Sequence, residues 1–387
     1  MAAKIYLDYS ASTPVSPEVW NSMEPYFKTH FGNPSSVHRW GQTTRAAIEE
    51  ARSQIAAALN VQESEIVFTS GGTEANNLAL KGAAAAETTG KRHMIVSAIE
   101  HKSVLNCAKA LEKQGFQITY LNPDQQGRIN PDQVRQAIQK DTMLISIMHG
   151  NNEIGTLNPI AEIGEIAAEK GILFHTDAVQ TFGKTELRPQ DLPVNLLSIS
   201  SHKIYGPKGA GALFIRKGTA IQPVLHGSSH EQNRRAGTEN VPGIVGFGKA
   251  AEMAVQHVPL YQNKVRELRD FLESGIREIY ADVLLNGHPE QRLPHITNLS
   301  FPGIEGDNLL LNLDLAGVAA SAGSACSSGS IQISHVLKAL QLEPKRTLSA
   351  VRFSLGLTTT KNEIIDFLER LEKILHRLGA MGGIKVQ

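Results

Sequence analysis

The feature that most constrains the fold is a series of seven short apolar runs in the first two thirds of the chain, at residues 66–70, 93–99, 117–122, 143–150, 172–178, 196–201 and 211–216. Several are nearly continuous in apolar residues rather than alternating, the pattern of strands covered on both faces. Helical periodicities separate the earlier runs. Ile48, Ala51, Ile55 and Leu59 share one helical face before the first run, and Val104, Leu105, Ala108 and Leu111 share another after the second. Strands alternating with helices predict an α/β fold with a doubly wound, mostly parallel sheet of seven strands. After about residue 255 the pattern changes. One amphipathic helix carries Val265, Leu268, Phe271, Leu272 and Ile276, and a last one carries Ile364, Phe367, Leu371, Ile374 and Leu375. Thr360-Lys-Asn-Glu363 is a capping box for that last helix. With strand candidates at 296–301 and 348–355 between them, this part reads as a smaller α+β unit. The expected division is a large domain over 15–255 and a small C-terminal domain over 256–387, joined by an N-terminal segment, 1–14, that folds back.

At 387 residues the chain exceeds a typical single core, in keeping with two domains. Lysine plus arginine equals aspartate plus glutamate at 38 each, so nothing in the charge calls for nucleic acid or an anionic membrane. No apolar stretch is long enough to span a bilayer. The opening Met-Ala-Ala-Lys-Ile-Tyr reads as a strand without a signal peptide's apolar segment. Two cysteines in so long a chain exclude a disulfide framework and fit a reducing compartment. A cytoplasmic location is expected. The fourteen histidines contain no His-Glu-x-x-His pattern and no paired-cysteine spacing, which argues against a zinc site.

In open α/β sheets, ligands bind beyond the carboxyl ends of the strands. Gly71-Gly72-Thr73 follows the first run, His101 the second and Asn151-Asn152 the fourth. Asp177 ends the fifth, while Ser200, His202 and Lys203 close the sixth. Independent strands thus deliver polar residues to one edge of the sheet. Around Gly72 and Thr73, a strand-to-helix turn offers free N–H groups and a helix start to a phosphate, with Ser200 and His202 as further donors. Asp177, at the end of an apolar run, needs a cationic partner, either a pyridinium N–H or a structural arginine. Gln180 lies one helical turn beyond. An amine, an acid and small-residue loops at strand ends are what a pyridoxal phosphate site requires. The amine of Lys203 forms a Schiff base with the cofactor aldehyde, and the acid keeps the pyridine nitrogen protonated. His101 suits stacking on a ring or proton handling. His175 reads as a core residue and Cys107 as a small buried hydrophobe. Cys326 differs, because no bulky side chain lies between Ala319 and Ser330. A thiol in such a segment is a liability unless reactivity is wanted.

The blocks Leu7-Asp-Tyr-Ser-Ala-Ser-Thr-Pro14, Phe31-Gly-Asn-Pro-Ser-Ser36, Phe68-Thr-Ser-Gly-Gly-Thr-Glu-Ala-Asn-Asn77, Glu100-His101, Asn151-Asn-Glu-Ile-Gly155, His175-Thr-Asp-Ala-Val-Gln180, Ser200-Ser-His-Lys-Ile-Tyr-Gly-Pro-Lys-Gly209, Arg235-Ala-Gly-Thr-Glu-Asn240, Ser324-Ala-Cys-Ser327 and Val351-Arg-Phe-Ser-Leu-Gly356, in that order, resemble the cysteine desulfurases of the NifS/IscS type. The resemblance implies the pyridoxal-phosphate-dependent transferase fold of type I, class V of the aminotransferases, and a homodimer with its sites at the subunit interface. It implies that Lys203 holds the cofactor and shuttles a substrate proton, that Asp177 pairs with the pyridinium and Gln180 with the phenolic oxygen, and that His101 stacks on the ring. Gly72, Thr73, Ser200 and His202 would bind phosphate, with Thr238 reaching across from the other subunit. Asn152 would lie near cofactor and substrate, and Arg352 would clamp the carboxylate of L-cysteine. Cys326 would take the sulfur as a persulfide and pass it to an iron–sulfur scaffold or another sulfur-acceptor protein, such as a tRNA-thiolation partner. The sequence from Leu378 to Gln387 does not resemble the longer tail with which some members dock a scaffold, which leaves the acceptor open. Two rival readings remain at this stage. A cystine or selenocysteine lyase, or a small-amino-acid aminotransferase, would use the same fold without Cys326. A non-catalytic scaffold would have lost the chemistry, which the intact Lys203, Asp177 and Arg352 oppose.

Overall fold

The computed structural model describes residues 4–322 and 334–382. All seven apolar runs are strands of one sheet. After a short β1 (Ile5–Tyr6), these are β2 (Ile66–Thr69), β3 (His93–Ser97), β4 (Gln117–Leu121), β5 (Thr142–Ser146), β6 (Leu173–Asp177), β7 (Leu196–Ser200) and β8 (Gly211–Ile215). Their order across the sheet is β2-β8-β7-β6-β5-β3-β4. Only β8 runs antiparallel to its neighbours, so the sheet is mostly parallel. The long run 143–150 is strand only as far as Ser146. Its remainder leaves the sheet and carries Asn151 and Asn152 toward the strand ends.

Two apolar cores clothe the sheet. Successive residues of a strand point to opposite faces, so Ile66, Phe68, Ile145 and Phe174 join one core while Val67, Leu144 and Leu196 join the other. The helix Arg39–Leu59 buries Ile48, Ala51, Ile55 and Leu59 against the first. The helix Lys102–Glu112 buries Val104, Ala108 and Leu111 against the second, with Leu105 half-buried at its margin. Burial on both faces explains why the strands read as continuous apolar runs.

A third core gathers the later elements. β9 (Leu284–Asn286), β10 (Ile296–Ser300) and β12 (Ala350–Ser354) form an antiparallel sheet in the order β12-β10-β9. The helix Arg266–Ile279 packs Leu268, Leu272 and Ile276 into this core, and the helix Lys361–Gly382 adds Ile364, Phe367, Leu371, Ile374 and Leu375. The capping box is present, with Thr360 N–H donating to Glu363 at 2.8 Å and Glu363 N–H to Thr360 Oγ1 at 3.2 Å. The helix Val241–Leu260 continues through a π turn, Tyr261–Val265, into Arg266–Ile279. Pro259, just before the π turn, lacks the N–H that a regular helix would use. The N-terminal segment binds this later part of the chain. β1 pairs in parallel with β11 (Val318–Ala319), Asp8 bridges Ser354, and Ile5, Leu7 and Tyr9 enter the third core. Among the described residues, no helix is long and apolar enough to cross a membrane.

Candidate active site

The carboxyl ends of the parallel strands open into a cavity of about 500 Å³. At one end β2 gives way to Gly71 and Gly72. Gly71 has φ of 150°, a conformation L side chains rarely adopt, and a Cβ on Gly72 would meet Val179 Cγ2 at 2.7 Å. Gly72 begins the helix Gly72–Ala86. Thr73 and Ser200 also line this end, and Ser200 Oγ is buried with no partner among the described residues. Exposed main chain, a helix start and an unpaired hydroxyl fit an anionic group.

Asp177, at the end of β6, is 4% exposed. Asn76 Nδ2 donates to its Oδ2 at 2.7 Å and Val179 N–H to its Oδ1 at 3.0 Å. Both donors are neutral, one a side-chain amide and the other a main-chain N–H. A buried carboxylate held by neutral donors and facing the cavity fits a cationic ring N–H. Lys203 follows β7 on a single 3₁₀ turn, Ser201–Lys203. Its amine donates to the carbonyls of Ser10 at 2.6 Å and Ala11 at 2.7 Å. Beside it, burial pushes the His202 imidazole down to about 3, aided by the charges of Lys203, Lys208 and Lys184. His202 is therefore neutral, with Nδ1 3.3 Å from Ser12 Oγ.

Gln180 is 4% exposed and fixed at both ends by Ser10, donating to its carbonyl at 2.9 Å and accepting from its hydroxyl at 3.3 Å. Arg352 comes from β12 of the other sheet. Its Nη2 pairs with Asp8 Oδ1 at 2.7 Å and its Nη1 donates to the carbonyl of Asn152 at 2.8 Å. His101, after β3, completes the group around the cavity.

The structure thus brings Gly72, Thr73, His101, Asn152, Asp177, Gln180, Ser200, His202, Lys203 and Arg352 to one cavity. Thr238 is elsewhere in this chain, in a shallower concavity with Tyr26 and Phe31. Its segment is tied toward the cavity by Arg235, whose Nε donates to Glu74 Oε1 at 2.8 Å. Upstream, Glu231, Gln232 and Asn233 are consecutive left-handed residues, braced by a buried fork in which Arg52 grips the Glu231 carboxylate at 2.7 and 2.8 Å. Cys326 lies outside the described residues. Cys107 is 3% exposed, and burial pushes its thiol up to about 11. His175 is a core residue. Its nitrogens pair with Ser146 and Ser198, and burial pushes it down to about 3.

Four further residues near the cavity escape a reading of the sequence. Ser10 lies in a block singled out above, yet its carbonyl acts only once the N-terminal segment is placed in space. Asn76 and Ser103 sit inside helical patterns that predict burial and not their hydrogen bonds. Lys184 is 1% exposed, and its amine donates to the main-chain carbonyl of Lys203 at 2.9 Å. Burial and then the Lys203 charge push that amine down to about 7. A lysine one turn past Gln180 carries no sequence signal for this.

Comparison with known proteins shows the family. The pattern that defines the aminotransferase class-V family matches residues 5–367. A relative described as "Cysteine desulfurase IscS" from Dictyoglomus turgidum is 51% identical over 385 residues, covering 100% of this chain and 98% of that one. A solved structure described as "NIFS-LIKE PROTEIN" superposes with a TM-score of 0.92 at 36% identity, covering 97% of this chain and 100% of that one. Another, "SspA in complex with cysteine", has a TM-score of 0.82 at 40% identity over 92% of this chain and 100% of its own. The chain belongs to the class-V aminotransferase family, among its cysteine desulfurases of the NifS/IscS type.

Proposed function

We propose that this protein is a pyridoxal-phosphate-dependent cysteine desulfurase. It converts L-cysteine to L-alanine and takes the sulfur on Cys326 as a persulfide. The observation that carries this reading is a single cavity joining the Lys203 amine, the Asp177 carboxylate and the unpaired Ser200 hydroxyl. These suit the aldehyde, the ring nitrogen and the phosphate of one molecule. Bound there, the cofactor supplies an electron sink that makes the substrate's Cα proton removable and its Cβ–S bond breakable.

The chain's residues do the rest. Asp177 would keep a proton on the ring nitrogen, and Gln180, fixed by Ser10, would offer its remaining N–H to the phenolic oxygen. Gly72, Thr73, Ser200 and His202 would hold the phosphate, with Thr238 of a second copy completing it. His101 would stack on the ring. Lys203 would hold the cofactor and move the proton from Cα. Asn152 lines the substrate's place, and Arg352 grips the substrate carboxylate. The Cys326 thiolate attacks the substrate sulfur, so that an S–S bond forms as the C–S bond breaks and a proton is added at Cβ.

The exposed aromatic residues Trp20, Phe27, Phe31 and Trp40, beside the concavity that holds Thr238, support a homodimer. The division into a cofactor domain at 15–255 and a small domain at 256–387, joined by 1–14, belongs to the same reading. So do a cytoplasmic location and an iron–sulfur scaffold or other sulfur-acceptor protein as partner.

Mass spectrometry of Cys326 after incubation with L-cysteine tests the reading. One added sulfur atom is expected. Alanine formed without sulfur on Cys326 would favour a lyase instead. For the carboxylate grip, Arg352→Lys is expected to raise KM for L-cysteine about 100-fold with kcat changed less than about tenfold, because a lysine cannot make two parallel hydrogen bonds. An unchanged KM would remove Arg352 from the substrate site.

A further inference from the structure

Two hydrogen bonds converge on Nδ1 of His101. The main-chain N–H of Ser103 is 3.2 Å away and Ser103 Oγ is 2.7 Å away. A main-chain N–H can only donate, so Nδ1 presents its lone pair and the ring proton is on Nε2. Ser103 Oγ is in turn 2.8 Å from Asn76 Nδ2, which also donates to Asp177 Oδ2 at 2.7 Å. An amide nitrogen carries two hydrogens, so Asn76 serves the hydroxyl and the carboxylate together. Its nitrogen, rather than its oxygen, faces Asp177 Oδ2. The hydroxyl's own hydrogen is then left for His101. Asn76 is 1% exposed and Ser103 8%, so water does not compete freely with this chain of bonds.

Protonating Nδ1 would set one N–H against the N–H of Ser103. His101 also caps the helix Lys102–Glu112, whose N-terminal dipole disfavours a positive charge. Burial holds the imidazole below its ordinary range. The Asp177 carboxylate opposes this, and the charges of Lys203, His335 and Lys102 reinforce it.

We propose that Asn76 and Ser103 are positioning residues that lock His101 as the neutral Nε2–H tautomer and couple it to Asp177. His101 then gives the cavity a flat ring and one fixed donor at Nε2. The proposal rests on the reading of this cavity as a pyridoxal phosphate site.

Protein labelled with ¹⁵N-histidine tests it by magnetic resonance, with the His101 signals identified by their loss in His101→Gln. The expected parent pattern is the Nε2–H tautomer at neutral pH, with a midpoint below that of a free imidazole. Ser103→Ala keeps the main-chain N–H on Nδ1 but loses the hydroxyl donor, so it should keep the Nε2–H tautomer and raise the midpoint, while Ser103→Thr should keep the parent pattern. Asn76→Ala should move the midpoint the same way by less, and it serves if Ser103→Ala does not fold. A parent His101 that carries its proton on Nδ1, or is charged at neutral pH, overturns the proposal. So does a variant lacking the Ser103 or Asn76 donor whose tautomer and midpoint match the parent. The spectra are recorded on the purified protein and again after saturation with pyridoxal phosphate. A protein that never takes up the cofactor sinks the proposed function, whereas the tautomer is read from the protein's own signal in either state.

Discussion

Lys203→Ala is expected to lower turnover of L-cysteine by about 10⁴-fold or more. The loss is large because, in the function proposed above, one amine would serve twice, as the covalent holder of the cofactor and as the carrier of the Cα proton. Two other lysines line the cavity, Lys102 and Lys208, but Lys208 is exposed and neither donates to the Ser10 and Ala11 carbonyls that fix Lys203. Effective proton transfer needs a group within hydrogen-bond reach of the reacting atom, so neither is expected to substitute. Asp177, the Gly71–Gly72 turn and Ser200 remain in the variant. It should therefore still take up pyridoxal phosphate, but lose it on dialysis, and borohydride should no longer fix the cofactor to the chain. Steady-state assays with borohydride trapping check this. Activity within tenfold of the parent would remove Lys203 from its assigned role.

Cys326→Ala is expected to abolish protein-bound sulfur and sulfide release from L-cysteine while leaving the cofactor in place. The chain has only two cysteines. Cys107 is buried in the core beneath the large sheet, with its thiol pushed up to about 11, and holds almost no thiolate near neutral pH. A persulfide on this protein thus has one position available. Without it the substrate sulfur has no acceptor, and the Cβ–S bond should stay intact however well Lys203 performs. Retained conversion to alanine and sulfide at the parent rate would mean that the substrate expels its sulfur directly, and the lyase reading would replace the desulfurase one.

The large sheet was legible because each strand is buried on both faces, which leaves a continuous apolar run, and because each run ends in small or polar residues where the chain must turn toward a ligand. Asp177 and Lys203 were legible for the same reason, as ionisable groups at the ends of apolar strands. The run 143–150 was overestimated because Ile147 and Met148 are as buried as the strand before them although they leave the sheet. Burial, not backbone pairing, writes that pattern. The hydrogen bonds among Asn76, Ser103 and His101 were not legible. They join side chains from a helix and the start of another, 27 residues apart at their longest local step, and no periodicity encodes such a meeting. The buried amine of Lys184 was hidden for the opposite reason, since a lysine between strands reads as solvated surface by default.

The placement of the N-terminal segment has a consequence for the order in which the molecule is completed. Ser10 N–H donates to Ser354 Oγ across 344 residues of sequence, and Ile5 pairs with Val318. During synthesis the first dozen residues leave the ribosome long before β11 and β12 exist. Residues 5–8 cannot pair with β11 and β12 until almost the whole chain is made. Ser10 and Thr13 meet Gln180 and His202 earlier, but the Ser354 anchor of Ser10 arrives last. The carbonyls that hold the Lys203 amine therefore gain their full support only once the final strand is in place, and a chain lacking that strand carries every residue of the large sheet without that anchor.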